Sequence, residues 1–260
     1  ASLALDQGAV SVHVSGWRVG KDFDVRLDGV ATDLTIETLR SVWPTVLGKD
    51  ARDWTMENIA TGNLEDARVG LVAHIENGDL AQIAVKSLIG SARISGATVA
   101  YFKPLPPLTN VMVDMTFTEA LLDIAARRGQ LGDLIVRDGA VNITGLDLED
   151  QDIAIDLVVE GPVKTAVAIL DQEPLGLIQK LGVGKSEILG DMAARLKFKF
   201  PLAHALRFTD VGLAAAANLR GVSLDTNLYG LRLSDADLNL QLTGQVMEIT
   251  GTGALNGVAA

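Results

Sequence analysis

The sequence predicts a mainly β fold, built as long antiparallel meanders that short helices interrupt. Apolar and polar residues alternate along most of the chain. Turn signals recur roughly 8 to 15 residues apart, which is typical of an antiparallel meander. Two segments depart from the alternation and show helical spacing instead. Because a period of two places one kind of side chain on each face of a strand, one broad face of the sheet should be apolar.

The chain begins with strands. Residues 2–33 alternate, so we predict two or three strands there, with turns near Gly8, Gly20 and Asp28-Gly29.

Residues 34–62 form the first helical segment. Asp33 or Thr35 can cap a helix that is stopped or kinked near Pro44 and ended by Gly48. Its apolar positions are Ile36, Leu39, Val42, Trp43 and Val46. A second, shorter helical segment follows before Gly62, with Trp54, Met56 and Ile59 as its apolar positions.

Residues 63–160 alternate again and are predicted to form a β-meander. The alternation is clear at Val111, Val113, Met115 and Phe117, and at Ile153, Ile155, Leu157 and Val159. Turns are expected at Asn77-Gly78, Gly90, Gly96, the segment from Pro104 to Pro107, Gly129 and Asp138-Gly139.

Residues 161–185 form the second helical segment, and residues 186–260 the second meander. Gly161-Pro162 breaks the sheet, and Pro174 should divide the helix in two. The apolar helix positions are Val163, Val167, Leu170, Leu177, Ile178 and Leu181. In the second meander the apolar positions include Met192, Ala194, Leu196, Phe198, Phe200, Leu238, Leu240 and Leu242, and turns are expected at Gly212, Gly221, Gly230, Gly244 and Gly251.

The ends of the chain indicate a piece of a longer protein. The chain opens on Ala1 without an initiator Met or a signal-peptide start. We therefore expect residues 1–260 to be one continuous β-rich region cut from a longer chain. No window of about 20 apolar residues could span a bilayer, so any membrane anchor is expected outside this region.

The composition excludes several classes of function. The chain has 33 acidic and 22 basic residues, a net charge of −11, and no dense Lys/Arg cluster, so nucleic acid is not an expected partner. It contains no cysteine, which excludes disulfides and thiolate metal sites. Only 4% of its residues are aromatic, which suits strands and turns better than a compact enzyme core.

Apparent catalytic and ligand motifs fail when their spacing is checked. The stretch Gly182 to Ser186 ends like a phosphate-binding loop, but Gln179 stands where the first glycine is required. His13, His74 and His204 lie on separate predicted strands without a triad or zinc motif. We therefore expect no catalytic residue, no metal and no cofactor, and hence no enzyme.

Two charged runs have both a chemical and a structural interpretation. The acidic run of Asp147, Glu149, Asp150, Asp152 and Asp156 could offer paired carboxylates for glycosidic chemistry. The cations Arg195, Lys197 and Lys199 alternate on one strand and could contact a lipid phosphate or an acidic partner. A solvated polar face is the favoured interpretation of both.

Short motifs within about residues 35 to 180 resemble a known family. The stretch from Leu39 to Pro44 is followed by Ala51-Arg52-Asp53-Trp54 and by Asn58 to Leu64. This succession resembles the central region of YhdP-like members of the AsmA-like superfamily, in which a Trp-Pro helix and an Arg-x-Trp segment precede a helix that ends in Gly. Further matches are Gly96 to Tyr101 running into Pro104 to Leu108, and Gly161-Pro162 before a helix with Pro174-Leu175.

The resemblance implies a lipid-transport function. Such proteins are anchored in the inner membrane of Gram-negative bacteria, extend through the periplasm, and are thought to carry phospholipids toward the outer membrane. Their groove is a long, curved β-sheet with an apolar concave face, which would hold the acyl chains and leave the headgroup on the wet side. The resemblance thus implies a phospholipid or another acyl-chain lipid as partner, together with inner- and outer-membrane proteins.

The residues that line such a groove can be nominated from the alternation. The candidates are Val111, Val113, Met115, Phe117, Leu196, Phe198, Phe200, Leu238, Leu240 and Leu242. The same alternation is also typical of the inside of an ordinary β-sandwich. The alternative function is therefore a closed, β-rich scaffold for envelope assembly that binds no lipid. A carbohydrate-active enzyme that uses the acidic run is the third hypothesis.

Overall fold

A computed structural model describes residues 2–4, 8–43, 48–79, 83–173, 188–202, 211–225, 232–244 and 246–259. Within these residues the chain forms one antiparallel sheet of fourteen strands, and the strand order follows the sequence from first to last. The first and last strands do not pair with each other, so the sheet is open. The predicted mainly β meander with short helices is confirmed, and the open sheet is consistent with a curved groove.

The strands are long, and the helices are short. The strands are β1 Ser2–Ala4, β2 Ala9–Val19, β3 Asp22–Thr35, β4 Ile59–Ile75, β5 Ile83–Val99, β6 Leu108–Thr118, β7 Leu121–Leu131, β8 Leu134–Thr144, β9 Asp152–Pro162, β10 Ile188–Pro201, β11 Gly212–Asp225, β12 Arg232–Thr243, β13 Val246–Leu255 and β14 Val258–Ala259. The helices are α1 Ile36–Val42, α2 Lys49–Asn58 and α3 Val163–Leu170, and a 3₁₀ turn spans Glu76–Gly78.

The three helices share one end of the sheet. Successive strands of an antiparallel meander connect at alternating ends. Helices α1 and α2 link β3 to β4, and α3 follows β9, which runs in the same direction as β3. We call this side of the sheet the helix end. The opposite side, where β2 meets β3, β4 meets β5 and β6 meets β7, is the turn end.

Local chemistry fixes the first helix. Thr35 is the N-cap, and its hydroxyl oxygen accepts a hydrogen bond from the backbone N–H of Thr38 at 3.1 Å. At the other end of α1, the Arg40 guanidinium donates to the carbonyl oxygens of Met56 and Ile59, at 3.2 and 2.8 Å. These bonds tie α1 to the end of α2 and to the start of β4.

The helix boundaries differ from those expected in two places. Helix α1 ends at Val42, and Gly48 caps the start of α2 instead of ending α1. Ile59 is the buried first residue of β4 rather than a helical position, so Gly62 lies inside a strand. The expected features at Pro44, Val46, Pro174, Leu177, Ile178, Leu181, Gly182 to Ser186, His204 and Gly230 lie outside the described residues.

Several glycines predicted to form turns lie inside strands instead. Gly20, Asn77-Gly78, the Pro104 to Pro107 segment and Gly244 do lie outside strands, as expected. Turns expected at Gly29, Gly90, Gly96, Gly129, Gly139, Gly221 and Gly251 are wrong, because the strands run through all of these positions. For two of them the physical reason is the lack of space between neighbouring strands, whereas Gly96 and Gly221 have a positive φ at register shifts in β5 and β11. Gly90 pairs with Phe117 and Gly139 pairs with Leu157, and a Cβ on either glycine would collide with the partner side chain.

This close approach gives a testable prediction. We expect Gly90→Ala to lower the free energy of unfolding by about 1–3 kcal/mol, because the added methyl group overpacks against the Phe117 ring and the Arg68 carbonyl oxygen. Gly16→Ala is the matched control, since its Cβ would meet the Asp24 carbonyl oxygen at an ordinary 3.6 Å. Urea denaturation measures both variants. Equal stability of the two variants would contradict the packing argument.

Candidate functional site

The strand register places all ten candidate groove residues on one face of the sheet. Directly opposite residues of an antiparallel pair project to the same face. One row of such partners crosses five strands and consists of Phe117, Leu122, Ile143, Ile153 and Phe200. A second row crosses seven strands and consists of Val113, Ala126, Gly139, Leu157, Leu196, Ala215 and Leu242. These rows join the candidates of β6, β10 and β12 into one continuous apolar face.

No second sheet covers the apolar face within the described residues, because all fourteen described strands belong to one sheet. Each of the ten candidate side chains is half-buried, and none is fully buried. A closed sandwich would bury these side chains completely against a second layer. The described part of the chain therefore presents an open apolar surface, in which neighbouring side chains shield one another only in part.

The helices cover the apolar face at the helix end alone. Helix α1 places Ile36, which is 1% exposed, against Leu34, Leu64 and Ile94. Helix α3 packs Ala166 and Ile169 onto a cluster of Leu134, Val136 and Val159, and packs Val163 and Val167 around Val222 and Ala236. The three buried clusters of the described chain all lie here. Five further buried apolar residues belong to none of the clusters and lie in the middle of the sheet or nearer the turn end, namely Ala73, Ile75, Ile153, Ala194 and Ala217.

This coverage divides the ten candidates into two groups. Val111, Val113, Met115, Leu196 and Leu238 pack against the buried clusters. The other five lie outside the clusters, together with two residues that the sequence analysis did not nominate. We call these seven residues the open floor: Phe117, Leu122, Ile143, Phe198, Phe200, Leu240 and Leu242.

The two omitted residues had a weak sequence signal. Leu122 alternates with Ile124 on β7, but the run is short. Ile143 alternates with Val141 on β8, and Gly139 interrupts that pattern. A glycine at an inward position is invisible to a count of apolar residues, which is why β8 was not recognised as part of the face.

The opposite face is lined by ion pairs. Arg195 donates two hydrogen bonds to the carboxylate of Asp156, at 2.7 and 2.8 Å, and Lys197 lies 3.5 Å from the same group. Arg93 and Arg127 both donate to Asp114, at 2.8 and 2.9 Å. The run of Arg195 and Lys197 is thus the solvent face of its strand. Asp156, a member of the acidic run, forms ion pairs with these cations.

These pairs make the polar face sensitive to acid. The hydrogen bond from Arg195 lowers the pKa of Asp156, and those from Arg93 and Arg127 lower the pKa of Asp114. A lowered folded-state pKa adds stability above the unfolded-state value of about 4, and this stability is lost as the pH falls through the folded-state pKa.

We expect the free energy of unfolding to fall below pH 4, and Asp156→Asn to reduce that fall. Urea denaturation at pH 6 and pH 3 measures the fall in the free energy of unfolding. An unchanged fall in the Asp156→Asn variant would contradict the contribution assigned to Asp156.

A second polar arrangement connects three strands. Asp24 is 9% exposed, its carboxylate shares a 2.7 Å hydrogen bond with Nδ1 of His74, and Lys86 donates to the same carboxylate at 3.0 Å. The hydrogen bonds to His74 and then Lys86 lower the pKa of Asp24. This contact has no local signal in the sequence, because Asp24 and His74 become neighbours only through the register of β3 and β4.

Two shallow depressions lie mainly on the polar face, and neither provides a site. The larger is lined by residues of β3 to β7, among them Arg26, Asp28 and Arg68. Arg26 is paired with Asp28 at 2.8 Å, so its charge is already balanced. Both depressions are open to solvent. The apolar face differs in kind, since it is an extended surface rather than a pocket.

Neither a metal-binding cluster nor a membrane-spanning helix occurs among the described residues. Among them, no three or more His, Asp or Glu side chains are placed to hold a metal ion. No helix in the described ranges is long and apolar enough to cross a membrane. Every buried side-chain nitrogen or oxygen in the described part of the chain has a hydrogen-bond partner.

Comparison with known proteins adds one finding. A family model described as YhdP protein matches residues 1–253, a range that begins before β1 and ends within β13. No curated protein and no solved structure matches the chain.

Proposed function

Because the chain belongs to the YhdP family, we propose that its apolar face holds the acyl chains of phospholipids and lets them move along the sheet. Family membership indicates a role in the cell envelope. The observation that supports the finer proposal is the continuous apolar face, partly exposed and without a second layer in the described residues. The function is non-enzymatic, since lipid transfer along such a face breaks no bond and needs no catalytic group.

The dimensions of the apolar face suit several lipids in line. Neighbouring strands lie about 4.8 Å apart, so fourteen strands extend for about 60 Å along the sheet. A phospholipid acyl chain spans half of a hydrocarbon core, or about 15 Å. The sheet is therefore several times longer than one acyl chain, and a lipid can shift from one strand to the next without leaving the apolar surface.

The energetics favour sliding over tight binding. Each methylene group removed from water contributes about 0.8 kcal/mol, and this contribution has no preferred direction. On the open floor, leucine, isoleucine and phenylalanine side chains present similar apolar surfaces on successive strands, without a polar group that would fix one position. A lipid is thus held to the face strongly overall, while its position along the face is held weakly.

The cellular setting follows from the same proposal. The chain is a periplasmic segment of an inner-membrane-anchored protein that spans the periplasm and whose anchor lies outside these residues. Its partners are phospholipids and, at the two membranes, envelope proteins. Nucleic acid is not a partner, because the net charge of −11 opposes binding to a polyanion.

Copurification tests the proposal. The chain is purified from bacterial cells and analysed by native mass spectrometry with lipid extraction. We expect phospholipid bound to the folded chain, or taken up from phosphatidylethanolamine vesicles if detergent has removed it. A folded chain that carries no lipid and takes up none would overturn the proposal and favour a scaffold that binds no lipid.

A further inference from the structure

One carboxylate on the polar face is buried, and it lies at the turn end of β3. Asp24 is 9% exposed and is the one buried charged residue in the described part of the chain. His74 of β4 is its direct partner in the strand register. On the other side, the β2 residues opposite Asp22 and Asp24 are Val19 and Trp17, so no charged group faces the two aspartates from that strand.

The charge of Asp24 is already balanced by Lys86. The Lys86 ammonium donates to both carboxylate oxygens of Asp24, at 3.0 and 3.3 Å. The carboxylate is ionised at neutral pH, because the hydrogen bonds from His74 and then Lys86 lower the pKa of Asp24. A neutral imidazole therefore suffices for the remaining hydrogen bond, and His74 can change its charge without losing Asp24.

The geometry fixes which nitrogen of a neutral His74 carries the hydrogen. Nδ1 of the ring lies 2.7 Å from Oδ1 of Asp24. An ionised carboxylate can only accept a hydrogen bond, so Nδ1 must donate. In a neutral imidazole the other nitrogen, Nε2, then has a lone pair and no hydrogen. Nε2 is therefore the atom at which His74 gains or loses a proton.

A second carboxylate faces that atom. Oδ2 of Asp22 lies 3.7 Å from Nε2 of His74, and Oδ1 of Asp22 accepts a hydrogen bond from the backbone N–H of Asn77 at 2.9 Å. Asp22 begins β3, and Asn77 lies in the 3₁₀ turn that follows β4. While Nε2 has no hydrogen, its lone pair and the carboxylate repel each other. Once Nε2 is protonated, the two groups form an ion pair that ties β4 to the start of β3.

The neighbouring charges leave this contact to Asp22. Arg26, the next cation on β3, is paired with Asp28 at 2.8 Å, and the residue opposite His74 on β5 is Ala84. The charged residues of the adjoining connections are Lys21, Glu76 and Asp79. Of these, Lys21 and Glu76 form no ion pair with the histidine or with either aspartate in the described part of the chain. A proton gained by His74 therefore acts mainly on Asp22.

We propose that His74 is a proton-controlled latch between the turn ends of β3 and β4. The latch is closed when Nε2 carries a proton and pairs with Asp22, and it is open when the ring is neutral. Histidine is the side chain whose charge ordinarily changes between about pH 5 and 8, so the latch responds to pH in that range. This inference goes beyond lipid binding and does not depend on it.

The latch adjoins an exposed corner of the apolar face. Phe23 lies between Asp22 and Asp24 on β3 and therefore projects to the opposite face of the sheet. It shares a row of cross-strand partners with Ile75 and Ile83. Phe23 and Ile83 are 40% and 52% exposed. A closed latch holds the strand ends that carry this corner in register, and an open latch loosens them.

Hydrogen exchange of the whole chain tests the latch. Amide exchange is followed by mass spectrometry at pH 5.5 and pH 8.0 and corrected for the intrinsic effect of pH on exchange. We expect the protection of residues 22–26 and 74–78 to be about two- to fivefold higher at pH 5.5, which is the effect of one partly exposed ion pair. His74→Gln cannot gain the proton and should show no such difference.

Asp22→Asn is the matched control for the charge. It keeps an acceptor oxygen for the Asn77 N–H and removes the negative charge on which the His74 proton acts. Its protection in the two segments should be equal at both pH values. A wild-type chain without a pH difference would overturn the latch, and so would a difference that persists in Asp22→Asn.

The position of the ring hydrogen provides a second test. Long-range ¹H–¹⁵N NMR spectra show which ring nitrogen carries hydrogen, and His74→Gln identifies the His74 signals among those of the three histidines. At pH 8.0 we expect hydrogen on Nδ1 alone, which is the minor tautomer of free histidine. Hydrogen on Nε2 at pH 8.0 would overturn the latch. Both tests use the chain without lipid, so their failure would leave the proposed function standing.

Discussion

Replacing Phe198 and Leu240 together by aspartate is expected to remove most bound phospholipid from the chain and to leave its fold intact. Both residues belong to the open floor and lie outside the buried clusters, so neither supports a cluster directly. Two carboxylates would have to lose water wherever an acyl chain covers them. Because burial of one such apolar side chain contributes about 1.5–3 kcal/mol, we expect the lipid content to fall about tenfold or more.

The matched control uses the same two strands and the opposite face. Lys199 precedes Phe200 on β10, and Asn239 precedes Leu240 on β12, and both side chains are exposed on the polar face. The variant Lys199→Asp/Asn239→Asp also introduces two carboxylates, yet it should keep its lipid. Native mass spectrometry gives the lipid content, and thermal unfolding checks that both variants fold. Equal lipid loss in the two variants would show that added negative charge, and not the apolar face, explains the effect.

The second large effect concerns stability. Ile36→Ala is expected to lower the free energy of unfolding by about 2–5 kcal/mol, because the side chain is 1% exposed and fills the space between α1 and β3, β4 and β5. Its removal leaves a cavity at the point where the first helix docks onto the sheet. Urea denaturation followed by circular dichroism measures the change.

An exposed isoleucine provides the control for this substitution. Ile89 lies on β5 with 64% of its surface exposed, on the polar face opposite Gly70. Ile89→Ala should change the free energy of unfolding by no more than about 0.5 kcal/mol. If both variants lost the same stability, α1 would not be anchored by Ile36 as the packing indicates.

The apolar face could be predicted from the sequence because alternation alone decides which side chains share a face. Phe198, Phe200, Leu240 and Leu242 follow a strict period of two on β10 and β12, with Lys199 and Gln241 between neighbours. Assigning these side chains to one face of their strand requires no knowledge of the neighbouring strands. The strict antiparallel order of the meander then places each apolar row beside the next.

Features that depend on contacts between strands could not be predicted in this way. Gly90 resembles a turn residue in the sequence, yet it sits inside β5 because Phe117 of the next strand needs the space. The Asp24–His74 contact depends on the register of β3 and β4. The packing of α3 onto the cluster that Leu196 also contacts likewise depends on tertiary contacts. Each of these is a tertiary contact, and none leaves a local pattern in the sequence.

Site-specific photocrosslinking along β12 tests the central claim most directly. A photoreactive amino acid is introduced singly at positions 239, 240, 241 and 242 of the chain in living bacterial cells, and phospholipid adducts are quantified after irradiation. Leu240 and Leu242 belong to the open floor, whereas Asn239 and Gln241 are exposed on the polar face. The account predicts adducts at 240 and 242 and none at 239 and 241. Adducts at all four positions, or at none, would contradict it.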